Sequence, residues 1–230
     1  MADSLPTNIH ELAELRNRTA VFHDRIHAGQ VLAEMLSAFD QNGGIVLGIP
    51  AGGVPVAAEI AKKLGLPFDI AVVSKITLPW NTEAGYGAVA FDGTHRLNEE
   101  MLPRLGLSQK EIRAGIEKTS SKVLQRVVSL RGEKPFPELS RKKVIVVDDG
   151  LASGFTMRVA VETLSKAGAE HIIVAVPTGH SETVEKISTK VEALYCPNIR
   201  GGWRFAVADA YEKWSDVPDI EIRKIVKKLL

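Results

Sequence analysis

Two short runs, Val144-Ile145-Val146-Val147 and Ile172-Ile173-Val174-Ala175-Val176, are apolar at every position and rich in β-branched residues. A strand with one wet face alternates apolar and polar; a strand covered on both faces does not. These runs therefore predict strands buried within a parallel sheet. Between them Met157, Ala160, Val161 and Leu164 recur at i, i+3, i+4, i+7, which predicts an amphipathic helix closed by Gly168. The same unit occurs upstream. Residues Ile45 to Ile49 read as a strand, Pro55 to Leu64 as a helix with Gly65 after its end, and Phe68 to Ser74 as the next strand. Downstream, a helix from about Glu182 to Ser188 leads to a strand at Val191 to Cys196. Alternation of this kind predicts an α/β fold built on an open, doubly wound, mostly parallel sheet.

Three segments fall outside the alternation. An N-terminal helix is expected from about Asp24 to Phe39, with Ala28, Val31, Leu32, Met35, Leu36 and Phe39 as its apolar stripe. A hairpin is expected within residues 84–98, where Asp92-Gly93 is the turn signal. A charged helix follows from Ser108 to about Arg131, opened by the capping box Ser108-Gln109-Lys110-Glu111. Hairpin and long helix together make an insertion over residues of about 77–140 in one domain spanning 1–230. Arg223 to Lys228 reads as one face of a terminal helix.

Composition narrows the picture by exclusion. The chain has 230 residues, 45% hydrophobic and 25% charged, with a formal net charge of +1, so charge makes no case for nucleic acid or membrane as partner. No apolar run approaches the roughly 18 residues of a membrane span. The first ten residues lack a basic region followed by an apolar one, and the single Cys196 leaves no intramolecular disulfide framework. A cytoplasmic location is the expectation.

Chemistry enters where the Val144–Val147 strand runs into Asp148-Asp149-Gly150-Leu151-Ala152-Ser153-Gly154-Phe155-Thr156. Ligands of open α/β sheets bind beyond the carboxyl ends of the strands. Backbone N–H groups at the start of the following helix, with two hydroxyls, form a phosphate cradle, and Gly150 and Gly154 let the backbone approach closely. The adjacent carboxylates would repel a phosphate, so they must hold something else: vicinal sugar hydroxyls, or a magnesium ion directly or through water. A sugar phosphate accounts for both halves. The alternative is a helix N-cap whose acidic residues favour the dipole. A second glycine-rich turn, Gly48-Ile49-Pro50-Ala51-Gly52-Gly53-Val54-Pro55, also follows a strand and precedes a helix, so it belongs on the same rim. Lys75 is expected at the end of the next strand. Trp203 and Phe205, after the last strand, either stack on a flat acceptor or cover the sheet edge, and Tyr86 in the hairpin is equally ambiguous. Glu83 reads as a proton acceptor, a magnesium partner or a solvated loop carboxylate. His171 and His180 read as structural, with no Cys or His cluster to suggest a transition metal. Neither a Gly-x-x-x-x-Gly-Lys-Ser/Thr loop nor a Gly-x-Gly-x-x-Gly turn occurs.

The string Val144 to Met157 resembles the 5-phosphoribosyl pyrophosphate (PRPP) signature of type I phosphoribosyltransferases. The resemblance implies that Asp148 and Asp149 contact ribose hydroxyls. It implies that Ala152, Ser153, Gly154, Phe155 and Thr156 wrap the 5′-phosphate, with Gly150 and Leu151 in the same substrate-binding loop. Gly48 to Pro55 resembles the pyrophosphate loop of these enzymes, with Pro50, Ala51, Gly52 and Gly53 presenting N–H groups to the anion and Lys75 neutralising an oxygen. Further blocks are similar to one group of uncharacterised phosphoribosyltransferase-like proteins: Phe22 to Ala33, Lys75 to Ala90 with Pro79, Asn81 and Glu83, and Phe205 to Tyr211 followed by Trp214. That likeness covers roughly residues 20 to 225, the last part, about 197–230, forming a C-terminal hood and tail. Two departures stand out. Ala51 replaces an expected arginine, and Ala152 replaces the aspartate that handles a base proton in hypoxanthine-type enzymes.

The implied function is transfer of phosphoribose from PRPP to a small nitrogen acceptor with magnesium (Mg2+) and release of pyrophosphate. Asp148, Asp149, Lys75 and Glu83 are the candidate catalytic set. An oxocarbenium-like transition state would be served by positioning and charge neutralisation rather than covalent attack. The other reading is a protein that senses PRPP or a nucleotide without turnover, kept open by Ala51. A homodimer is a common arrangement among proteins of this resemblance.

Overall fold

A computed structural model describes residues 5–39 and 43–230, and at residues 82 and 83 the backbone alone. In chain order the elements begin with β1 (Ile9–His10), α1 (Arg25–Met35), β2 (Gly44–Gly48), α2 (Gly53–Leu64) and β3 (Phe68–Ile70). Then come β4 (Val73–Leu78), β5 (Asn81–Ala90), β6 (His95–Leu97), α3 (Leu102–Leu105) and α4 (Gln109–Arg131). The second half holds β7 (Lys143–Val147), α5 (Phe155–Lys166), β8 (His171–Ala175), β9 (Thr178–His180) and α6 (Ser181–Ser188). It closes with β10 (Ala193–Tyr195), β11 (Asn198–Arg200) and α7 (Asp219–Leu229).

The central sheet is six-stranded in the order β1-β10-β8-β7-β2-β3, and every neighbouring pair is parallel. Alternate residues of the buried strands go to opposite faces. Val46, Ile145, Val147 and Ile173 pack with α1 and α2, while Ile45, Leu47, Val144, Val146 and Val174 pack with α5. Both faces are covered, which is why the pattern shows no polar alternation. Helix α2 ends on Gly65 in the left-handed region at φ 64°, and α4 opens on the expected Ser108–Glu111 capping box.

Three expectations change. The apolar run Phe68–Ser74 is not one strand. It pairs with β2 only over Phe68–Ile70, then leaves the sheet and restarts as β4 in a three-stranded antiparallel sheet with β5 and β6. Asp69 within the run is buried in an ion pair with Arg131 of α4, and the Arg131 guanidinium also donates to the Ile70 carbonyl. This anchors the long helix where the chain departs. Helix α1 stops at Met35, and Ser37–Phe39 forms a separate 3-10 turn. Finally, Asn198–Arg200 pairs in parallel with Thr178–His180 as a small second platform beside the main sheet.

Candidate functional site

Strands β2 and β7 are hydrogen-bonded neighbours in the middle of the sheet, with Gly48 opposite Val147. Their carboxyl ends therefore deliver both glycine-rich turns to one point of the rim. The contact is intimate. A Cβ on Gly52 would meet an Asp149 carboxylate oxygen at 1.7 Å, and one on Gly53 would meet the Val147 carbonyl oxygen at 2.5 Å and Asp148 Cα at 2.8 Å. Gly52 has φ −64°, which any residue adopts, so it is space rather than conformation that demands glycine here. The Pro50–Ala51 peptide bond is cis.

The acidic loop is held from behind. Leu151 donates its N–H to the Thr178 carbonyl and accepts from the His180 N–H, both at 2.9 Å, and the Thr183 hydroxyl donates to the Ala152 carbonyl at 2.7 Å. Gly154 sits at φ 70°, in the left-handed region that favours glycine, and opens α5 without a side-chain cap of its own. The first N–H groups of a helix have no intrahelical partner, so those of α5 face the loop's concavity beside the exposed Ser153 and the half-buried Thr156. On its flank lies a cavity of about 370 Å³ lined by Ser153, Phe155, Arg158, Thr183, Lys186 and Lys190, among others.

The two carboxylates are largely withdrawn from water, and that burial raises the pKa of both. Asp148 is pushed well above the usual carboxylate range by desolvation first and by the Asp149 charge second. Desolvation also raises Asp149, opposed by the charge and hydrogen bonds of Arg25. Arg25, the first residue of α1, reaches Asp149 Oδ2 at 2.9 Å through Nε and again through a terminal nitrogen. The Tyr211 hydroxyl donates to the Asp149 carbonyl at 2.6 Å, and burial, with the Asp149 charge next, raises its own pKa strongly. Val207 lies over Gly150, where an added Cβ would strike its side chain at 2.4 Å. The segment after β11 thus closes over the loop. Arg25, Tyr211 and Val207 lie in blocks already singled out by the family likeness, yet their convergence on Asp149 and Gly150 spans too much sequence for any local signal.

Other expected residues land elsewhere. Lys75 is not at the end of a central strand; it is exposed inside β4, opposite Ala88, with its aliphatic stem against Gly85. The Glu83 side chain lies outside the described residues. Trp203 is 106% exposed and so does not cover the sheet edge, whereas Phe205 is half-buried against His180 and Arg200. Tyr86 is 1% exposed and packs against Gly115 of α4, which makes it core rather than an acceptor platform. His171 pairs with Glu192 at 2.5 Å, and His180 contacts the Gly202 carbonyl at 3.2 Å. Among the described residues no group of three or more His, Cys, Asp or Glu could cage a metal. An acidic pair still fits magnesium, which takes one or two carboxylates and completes its shell with water and substrate phosphates.

A parallel sheet whose central strands carry two glycine-containing turns around a half-buried acidic pair defines the class: a doubly wound α/β domain of the phosphoribosyltransferase kind. The chain belongs to the phosphoribosyl transferase domain family, whose model matches residues 22–210. Over 202 residues it is 31% identical to two Mycobacterium tuberculosis proteins provisionally named as phosphoribosyl transferases, MT0597 of strain CDC 1551 / Oshkosh and Rv0571c of strain H37Rv. The match covers 88% of this chain and 45% of each of theirs, so the chain spans about half the length of the curated relatives it matches. Among solved structures, TT1426 from Thermus thermophilus is 30% identical with a TM-score of 0.72, covering 90% of this chain and 98% of that one. No helix among the described residues is long and apolar enough to cross a membrane.

Proposed function

We propose that the chain transfers the phosphoribosyl group of PRPP to a nitrogen acceptor, a nucleobase or related heterocycle, and releases pyrophosphate. The observation that carries this reading is the direct contact of Gly52 and Gly53 with Asp149 and Asp148. It sets a backbone-rich turn and a helix N-terminus on either side of one acidic pair. That spacing suits a sugar with an anion at each end. The α5 amides and the Ser153 and Thr156 hydroxyls bind the 5′-phosphate. Asp148 and Asp149 accept hydrogen bonds from the ribose hydroxyls, and the Pro50–Gly53 turn faces the diphosphate.

Asp148 or Asp149, directly or through water, would hold magnesium, which would supply charge neutralisation of the leaving group. The chain's own residues bind, orient and shield. Half-buried carboxylates beside the anomeric carbon favour developing positive charge on the ribose ring. Trp203 and Phe205 flank the acceptor side, and Lys75 and Glu83 belong to the hairpin that faces it. On this reading the protein acts in the cytoplasm.

A screen of nucleobases and small nitrogen heterocycles with PRPP and magnesium, scored by pyrophosphate release, tests the proposal. Turnover with at least one acceptor is expected. Hypoxanthine and guanine should be poor, because Ala152 offers no group to manage a proton on a purine. Ala51 favours one second reading, a PRPP or nucleotide sensor without turnover. Tight PRPP binding with no pyrophosphate from any acceptor would select it.

A further inference from the structure

We infer that Arg25 is a positioning residue of the substrate site, fixing the Asp149 carboxylate from helix α1 through a clamp completed by Trp214 and Ser215. The inference rests on the phosphoribosyl reading of that site.

Helix stability does not explain an arginine at this position. Arg25 is the first residue of α1, where the macrodipole disfavours a cation, and Asp24 already caps the helix by accepting from the His27 N–H. The guanidinium is instead committed on every side. Nε and a terminal nitrogen both contact Asp149 Oδ2 at 2.9 Å, another terminal nitrogen donates to the Ser215 carbonyl at 2.8 Å, and the group lies 4.0 Å over the Trp214 ring. Its side chain is only 11% exposed. An arginine fork held this way has little freedom, so the carboxylate it grips has little either.

The grip is selective. Among the described residues both Arg25 contacts fall on Oδ2, so the guanidinium itself does not occupy Oδ1. The Asp149 backbone is pinned separately, by Tyr211 on its carbonyl and by Asp148 Oδ1 on its N–H at 2.9 Å. Because the same Asp149 carboxylate presses on Gly52, the Arg25 charge stands at the edge of the pyrophosphate turn. That turn carries Ala51 and brings no cation of its own. The guanidinium therefore sits where the ribose and the diphosphate meet, and it reaches Asp149 from 124 residues away in sequence.

Titration calorimetry of the full chain with PRPP and magnesium, alongside thermal melts, tests this on wild type, Arg25→Lys, Arg25→Gln and Arg25→Ala. Arg25→Gln should lose about ten-fold or more in affinity, the scale of one charge-assisted contact. Arg25→Lys should fall between, keeping the charge without the fork. Methylguanidinium added to Arg25→Ala should restore part of the affinity and leave wild type unmoved. Affinity unchanged in Arg25→Gln with a lowered melting temperature would make the clamp purely structural and overturn the inference. If Arg25→Gln does not fold, the Arg25→Lys protein decides: wild-type affinity in it overturns the positioning role. A wild type that binds no PRPP sinks the parent reading instead.

Discussion

The two turns at the head of β2 and β7 occupy equivalent places and are made of different things. Both follow a buried strand, both precede a helix, and they touch. The loop after β7 carries its chemistry in side chains: two carboxylates and two hydroxyls. The turn after β2 offers proline, alanine and two glycines, hence backbone alone. The first reads as a site by residue type. The second acquires meaning only from its neighbour, because Asp148 and Asp149 fill the space where Cβ atoms of Gly53 and Gly52 would stand. A site can thus rest as much on which side chains are absent as on which are present.

The strongest way to break this relation is Gly53→Ala. Its Cβ would press on the Val147 carbonyl and on Asp148 Cα, which are backbone atoms with no rotamer to yield. Overpacking costs about 1–3 kcal/mol, so the melting temperature should fall by about 2–12 °C. PRPP binding should be lost in calorimetry at concentrations that saturate wild type. An unperturbed variant would mean that the turns are looser neighbours than their contact implies.

Asp149→Asn acts on the other side of the same contact and should weaken PRPP binding by about 10- to 150-fold, the loss of a charge-assisted hydrogen bond of roughly 1.5–3 kcal/mol. The fold should survive, since the amide oxygen can still accept from Arg25. Unchanged affinity with a lower melting temperature would reduce the acidic loop to a helix cap.

Ala51→Arg asks whether the backbone-only turn is short of charge. Ala51 is half-buried at the rim, so a longer side chain has room to extend outward. Inhibition by free pyrophosphate should tighten by about ten-fold, one charge-assisted contact. No change would show that Arg25 already provides what the turn lacks.

The smallest expected change is one of stability. Burial and the Asp149 charge raise the Asp148 pKa, so the ionised form is the costly one in the folded chain. The folded state then holds a proton that the unfolded state has released, and stability falls as pH rises between the two pKa values. Asp148→Asn removes that cost, and its carbonyl oxygen can still accept from the Asp149 N–H. Its melting temperature at neutral pH should exceed that of wild type by on the order of 2 °C. The gap should close on acidification, as the wild-type carboxyl takes up its proton in both states. A variant less stable at every pH would mean that Asp148 is held by contacts stronger than its desolvation.

The long helices, the buried strands and the acidic, glycine-containing loop after β7 were legible because each follows from local rules. Uniform β-branched runs, the i, i+3, i+4, i+7 stripe of α5 and the Ser108–Glu111 box depend on residues within a few positions of one another. Phe68 to Ser74 misled for the same reason. An apolar run looks alike whether it stays in one sheet or crosses to another, and the buried Asp69–Arg131 pair beside the crossing joins residues 62 apart. Lys75 then moved from the expected strand end to the one exposed position of a largely buried strand, β4. Tyr86, ambiguous in sequence, lies in the core because α4 folds back over β5 with Gly115 making room.

By itself the sequence determined the alternation of central strands and helices, the parallel sheet with both faces covered, and the residue types at two rim turns. Hydrophobic periodicity and turn chemistry act over a few residues, so a single chain displays them openly. Only the tertiary structure decided that Arg25, Trp214 and Ser215 close on Asp149, and that Trp203 stands free while Tyr86 does not. Those relations depend on how separate elements pack in three dimensions, and packing joins residues whose spacing along the chain carries no trace of their meeting.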